Sequence, residues 1–162
     1  MPITYNADEI FEMAMQIERN GARFYRKAAG WLKQPGQKDL LLELAAMEDD
    51  HLKTFTATRD QLTDADRQSM VSDPYDEAAL YLQAVADGHV FDVHADPSAL
   101  LTGKESLEEV LHRAIDIEKD SVVFYVGMRE QVPARLGKDR IDLVIREEIS
   151  HIARLSAQLA AL

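Results

Sequence analysis

Cysteine is absent from all 162 residues. That removes disulfides, thiolate metal sites and iron–sulfur clusters, and leaves imidazole and carboxylate as the only strong metal ligands on offer. It also fits a reducing compartment. Long apolar runs are missing too: nothing approaches the roughly 18 consecutive residues a membrane span needs. The stretch Met1–Asp8 has neither a basic region nor an apolar core, so no signal peptide is expected and the cytoplasm is the expected location. Positive charge is scarce, with 18 Lys and Arg against 29 Asp and Glu and a formal net charge of −11. So acidic a surface repels phosphate backbones and anionic lipid, which argues against nucleic-acid and membrane partners, and it attracts cations.

What is present reads as helix. Asn6 with Glu9 three residues on forms a capping box and starts a helix expected to reach about Lys33. Gln34-Pro35-Gly36 is a turn, and a second helix follows from about Gln37 to Gln61. Asp73-Pro74 reads as a cap with proline at the first helical position, leading into a short helix from about Tyr75 to Asp87. His89 to Gly103 reads as irregular. Ser106 with Glu109 is a further capping box, opening a third long helix to about Gln131, where Val132-Pro133 breaks it. A fourth begins near Lys138. No stretch alternates with a period of two, so the fold class is all-α. The layout is one domain over 1–162. It comprises a hairpin over about 7–61, a crossover over about 62–105 with its own short helix, and a second hairpin over about 106–161. Four-helix bundles need such a crossover when the middle connection runs their full length.

The two hairpins repeat one another. "AMQIERNGARFY" from Ala14 lies over "AIDIEKDSVVFY" from Ala114 with a constant offset of 100, which also matches Glu48 and His51 with Glu148 and His151. In each half a helical Glu precedes a Glu-x-x-His by 30 positions. From Glu18 the chain climbs roughly 22 Å, turns, and descends roughly 17 Å to Glu48. Glu118 and Glu148 straddle their own turn in the same way. Four glutamates and two histidines therefore reach one level of the bundle.

Facing decides whether they meet. Phe11, Ala14, Ala22 and Tyr25 flank Glu18 on one helical face. Leu111, Ala114, Val122 and Tyr125 flank Glu118, and Ile141, Val144, Ile152 and Leu155 flank Glu148 and His151. Asp49, Asp50 and Glu147 fall on polar sides by the same geometry. Carboxylates converging in an apolar core oppose their own ionisation through desolvation and mutual repulsion, and two divalent cations would compensate. One Glu from each of two helices plus Glu-x-x-His from each of two others is the donor set of di-iron and di-manganese bundles. Iron or manganese suits it best, and zinc could also be held. A single Glu-x-x-His would be weak; two copies, each with its upstream Glu, make a set. The competing reading is a bundle whose acids pair with basic side chains, but the nearest, Arg113 and Arg146, lie off the apolar stripe.

Other residues are read more plainly. Tyr25 and Tyr125, two turns beyond their glutamates, are core aromatics with a buried hydroxyl or, alternatively, hydrogen-bond donors or redox-active phenols behind the metal ligands. His89 and His94 belong to a surface loop, with an extra metal site or a partner contact as the alternative. His112 is solvated, and Met13, Met15 and Met47 are more simply core filler than a redox relay.

At "IERNGARFY", "MEDDH", "IEKDSVVFY" and "EEISH" the chain resembles the rubrerythrin branch of the ferritin-like superfamily. The resemblance implies a ferritin-like four-helix bundle holding two iron ions. Glu48 and Glu148 would bridge, Glu18 and Glu118 would be terminal, and His51 and His151 would give one ligand to each iron. The implied reaction is reduction of hydrogen peroxide or dioxygen with oxidation of ferrous iron; the alternative is a non-catalytic iron-binding or iron-responsive protein. Two departures stand out. Without cysteine there is no rubredoxin domain, so a separate electron donor or a ferrous pool must supply electrons. The further Glu that rubrerythrin carries one turn after the third-helix ligand is Ser121 here, with Gly21 as its repeat mate. The superfamily also admits homodimers, including helix-swapped ones.

Overall fold

A computed structural model of the chain describes residues 5–71 and 75–162. The helices form where local chemistry starts them. The Asn6 side chain accepts from the Glu9 amide at 3.0 Å while the Glu9 carboxylate accepts from the Asn6 amide at 2.9 Å, opening α1 (Ala7–Ala29). Acidic Asp8 and Glu9 in its first turn and basic Arg26 and Lys27 in its last both suit the helix dipole. Helix α2 (Pro35–Arg59) starts on proline, whose missing N–H would have been unpaired there in any case. The Ser106–Glu109 box opens α5 (Leu107–Gln131), and α6 (Lys138–Ala160) follows Gly137, whose φ of +76° turns the chain at little cost for a residue without Cβ. Helix α1 stops short of Lys33: beyond Gly30 the Trp31 indole turns away to donate to the Glu105 carbonyl.

The crossover holds more structure than its polar sequence suggests. Thr63 and Asp66 build a capping box for the short α3 (Asp64–Gln68), and α4 (Glu77–Ala86) is capped by Asp76. The expected Asp73-Pro74 cap lies outside the described residues. Strand β1 (Tyr5–Asn6) pairs antiparallel with β2 (Met70–Val71), too short a ladder to leave any alternation in the sequence. Single 3-10 turns cover Pro97–Leu100 and Ala134–Leu136. Asn20 donates to the carbonyls of Val93 and Ala95, and Lys27 to that of Ser98, so the returning segment is tied along α1.

The four long helices make a bundle of two hairpins, α1 with α2 and α5 with α6, with α4 lying on α5. Their apolar faces build two separate clusters. One, containing Ile10, Phe11, Phe55, Phe124, Ile141 and Val144, fills the end where α1 begins. The other, containing Phe24, Leu41, Leu44, Leu111 and Leu155, fills the opposite end. Between them lies a buried polar layer. Among the described residues no helix is long and apolar enough to cross a membrane.

Candidate metal centre

That polar layer consists of Glu18, Glu48, His51, Glu118, Glu148 and His151, none more than 4% exposed. Each lies near the middle of its long helix, and the hairpin turns bring each Glu-x-x-His back to the level of its upstream Glu. Donor atoms of Glu18, Glu48, His51 and Glu148 all lie within 4.8 Å of one another, as do those of Glu48, Glu118, Glu148 and His151. Glu48 and Glu148 belong to both groups. The centre is thus two overlapping four-residue sets sharing two carboxylates. The imidazoles lie nearly parallel, their centroids 5.7 Å apart.

Both histidines turn Nδ1 inward. His51 Nδ1 lies 3.0 Å from Glu148 Oε1 and 3.5 Å from Glu18 Oε2; His151 Nδ1 lies 2.9 Å from Glu148 Oε2 and 3.3 Å from both Glu48 Oε1 and Glu118 Oε1. These approaches lack hydrogen-bond geometry. Glu18 Oε2, Glu48 Oε1, both oxygens of Glu148 and both Nδ1 atoms are buried without a hydrogen-bond partner. Apart from Arg129 Nε, such atoms among the described residues all belong to this layer. Buried polar atoms are normally paired, so six converging orphans need a shared partner. A pair of divalent cations meets that need with the right donor types.

Electrostatics describe what the layer does without cations. Burial, then the charges of Glu48 and Glu148, push Glu18 and Glu118 well above the ordinary carboxylate value of 4.5. Burial opposes ionisation of Glu48 as well, but contacts with Glu18, His151 and His51 outweigh it and hold that carboxyl at about 2. Burial likewise disfavours charged imidazole, yet the surrounding carboxylates win and raise both histidines, His151 to about 12. Protons thus offset the mutual repulsion of the carboxylates.

The tyrosines complete the outer contacts reciprocally. Tyr25 donates from the first hairpin to Glu118 Oε1 of the second, and Tyr125 donates back to Glu18 Oε1. Burial, then these same glutamates, raise both phenols well above 10, so both stay protonated donors. Both rings are at once fully buried core aromatics and hydrogen-bond donors to the outer glutamates.

Two residues excluded from the site by sequence reach it. Glu147, expected on a polar face, has Oε2 2.8 Å from His51 Nε2. Met47, expected to be filler, has Sδ 3.3 Å from His151 Nε2. A helical wheel describes one helix, whereas each of these contacts crosses to the other hairpin. The available signal was their place immediately before Glu148 and Glu48. The other expected exclusions hold: Asp49 pairs with Arg26 and Asp50 with Lys53 at 2.7 Å. His89, His94 and His112 are exposed and away from the layer. Ser121 turns its hydroxyl onto the Ile117 carbonyl at 3.0 Å, beside a cleft of about 490 Å³ that Ile17, Asn20 and Asp120 also line. At Gly21 an added Cβ would sit 3.4 Å from Glu48 Cδ, in van der Waals contact with that carboxylate.

No family model matches the chain, and no curated protein does. A solved structure from Thermotoga maritima, described as a ferritin-like diiron-carboxylate protein, is similar over 99% of this chain and 98% of its own, with a TM-score of 0.73 and 21% identity. At that identity the likeness establishes the fold: the chain is a ferritin-like four-helix bundle.

Proposed function

We propose that the chain is a rubrerythrin-like di-iron carboxylate oxidoreductase that reduces hydrogen peroxide or dioxygen as ferrous iron is oxidised. The observation that carries this is the ring of buried, unpartnered oxygens and Nδ1 atoms aimed at a common centre. Glu48 and Glu148, common to both sets, would bridge; Glu18 and Glu118 would each hold one ion; His51 and His151 would give one nitrogen to each. An oxygen-rich set with one imidazole per ion suits iron or manganese, and the diiron description of the Thermotoga maritima protein favours iron. Two ferrous ions held there would supply two electrons, enough with two protons to reduce hydrogen peroxide to two molecules of water.

The chain's own part is positional and electrostatic. Tyr25 and Tyr125 each fix one oxygen of an outer glutamate and leave the other free to face inward. The apolar clusters on either side keep bulk water from the layer. Protons held by Glu18, Glu118 and the histidines leave as cations enter, so loading releases acid. A separate donor or a ferrous pool returns the electrons, and the cytoplasm is the proposed compartment.

One observation favours a second reading, an iron-binding or iron-responsive protein without turnover: neither Gly21 nor Ser121 adds a fifth carboxylate to the centre. Anaerobic peroxide titration of ferrous-loaded protein separates the two. Rapid diferric absorbance with about one peroxide consumed per two irons is expected. It should vanish in Glu148→Gln, whose iron affinity falls by more than the roughly 10–100-fold that even an outer partner is worth. Oxidation no faster than that of free ferrous iron rejects the oxidoreductase, and saturable binding without turnover then leaves the second reading.

A further inference from the structure

The two halves differ where the histidines face outward. With Nδ1 turned to the centre, each Nε2–H is left to find an acceptor, and that acceptor fixes the tautomer and ring orientation and raises the basicity of the ligating nitrogen. His51 has a carboxylate, Glu147 Oε2 at 2.8 Å. His151 has a thioether, Met47 Sδ at 3.3 Å, and a thioether is a weak acceptor. The Arg154 guanidinium lies 3.9 Å from the same sulfur and is itself paired with the Glu43 carboxylate at 2.5 Å, so that carboxylate is engaged with Arg154. Met47 and Glu147 are repeat mates, so the pseudo-twofold axis relates a thioether to a carboxylate at the same place. Glu147 is also 38% exposed and lines an open cleft of about 470 Å³ with Lys53, Thr54 and Arg140, while the His51 ring behind it stays buried.

We infer that the centre is functionally unequal. Glu147 makes the set of Glu18, Glu48, His51 and Glu148 the one that takes its cation first and holds it tighter, and Met47 leaves the His151 set as the second, weaker position. This rests on the dinuclear reading above and is independent of whether the loaded protein turns over. Glu147 is here a positioning residue acting through His51. Outer partners of this kind are worth roughly 10–100-fold in metal affinity.

Cobalt(II) is the probe, read by calorimetry and by the ring signals of ¹⁵N-histidine-labelled metal-free protein. Two ions should bind, with His51 responding during the first equivalent and His151 during the second. Glu147→Gln should weaken the first step roughly 10–100-fold while keeping two ions in total, and Met47→Glu should strengthen the second and draw the two responses together. Met47→Leu should leave the first step unchanged. Parallel response of both imidazoles in the unaltered chain, or equal weakening of one step by Glu147→Gln and Met47→Leu, overturns the inequality while leaving the dinuclear centre standing. No bound cobalt at all overturns the centre and the inequality with it.

Discussion

Laid over one another, the two hairpins agree at the polar layer and part company around it. Glu18, Glu48, His51 and Tyr25 meet identical mates in Glu118, Glu148, His151 and Tyr125. The apolar ends do not match so closely. Phe11 meets Phe55 edge-on at 6.4 Å, and Phe55 lies 5.0 Å from the Tyr125 ring, whereas their mates Leu111 and Leu155 pack as aliphatics at the other end. Identity is complete for the residues that face one another across the centre and holds only here and there outside it, as at Phe24 and Phe124. The flanking layers need only fill volume, which many apolar combinations can do.

The comparison can be broken at three depths. The heaviest blow is to the flanking layers. Phe55→Ala should cost about 3–5 kcal/mol and Leu155→Ala about 2–5 kcal/mol, both side chains being fully buried. Urea unfolding of the two variants would show whether the aromatic end carries more stability than the leucine end. A smaller effect is expected from Tyr25→Phe and Tyr125→Phe. Each strips a buried carboxylate oxygen of its donor, at a cost of about 1–3 kcal/mol. Because the contacts are reciprocal the two losses should agree closely, and a clear difference in denaturation midpoints would show that the symmetry fails at the outer glutamates.

The gentlest perturbation is pH. Glu18, Glu118 and both histidines hold their protons more tightly folded than unfolded, so their stabilisation is present at low pH and drains away as pH rises past their ordinary values of 4.5 and 6.5. Glu48, held at about 2, works the other way, but only as pH falls from 4.5 toward that value. Metal-free protein should therefore lose thermal stability between pH 5 and 9, and Glu18→Gln should flatten the slope. Metal-loaded protein should show the opposite trend, because cations replace those protons more readily as pH rises. A metal-free Tm that climbs over this range would contradict the proton-for-metal exchange.

Much of this was legible in the residues. The Asn6–Glu9 and Ser106–Glu109 boxes form as their spacing implies, and the constant offset of the repeat located the six residues of the central polar layer. What escaped was information that no single helix contains. Helix α3 announced itself only by Thr63 and Asp66 inside a polar stretch, and the two-residue pairing of β1 with β2 is too short to pattern a sequence. Glu147 and Met47 sit on faces that look wrong from their own helix, yet each reaches a histidine of the opposite hairpin.

Those crossings carry a consequence for assembly. Tyr25 with Glu118, Tyr125 with Glu18, Glu147 with His51 and Met47 with His151 all join one hairpin to the other. A hairpin alone leaves its outer glutamate without a phenol and its imidazole without an outward neighbour. Docking, rather than the folding of either half, is the event that finishes the centre. The long crossover then acts on that event as a tether, raising the effective concentration of one half near the other without supplying any of the six polar residues itself. A chain cut within the crossover would keep every one of these four contacts for as long as its halves stayed paired.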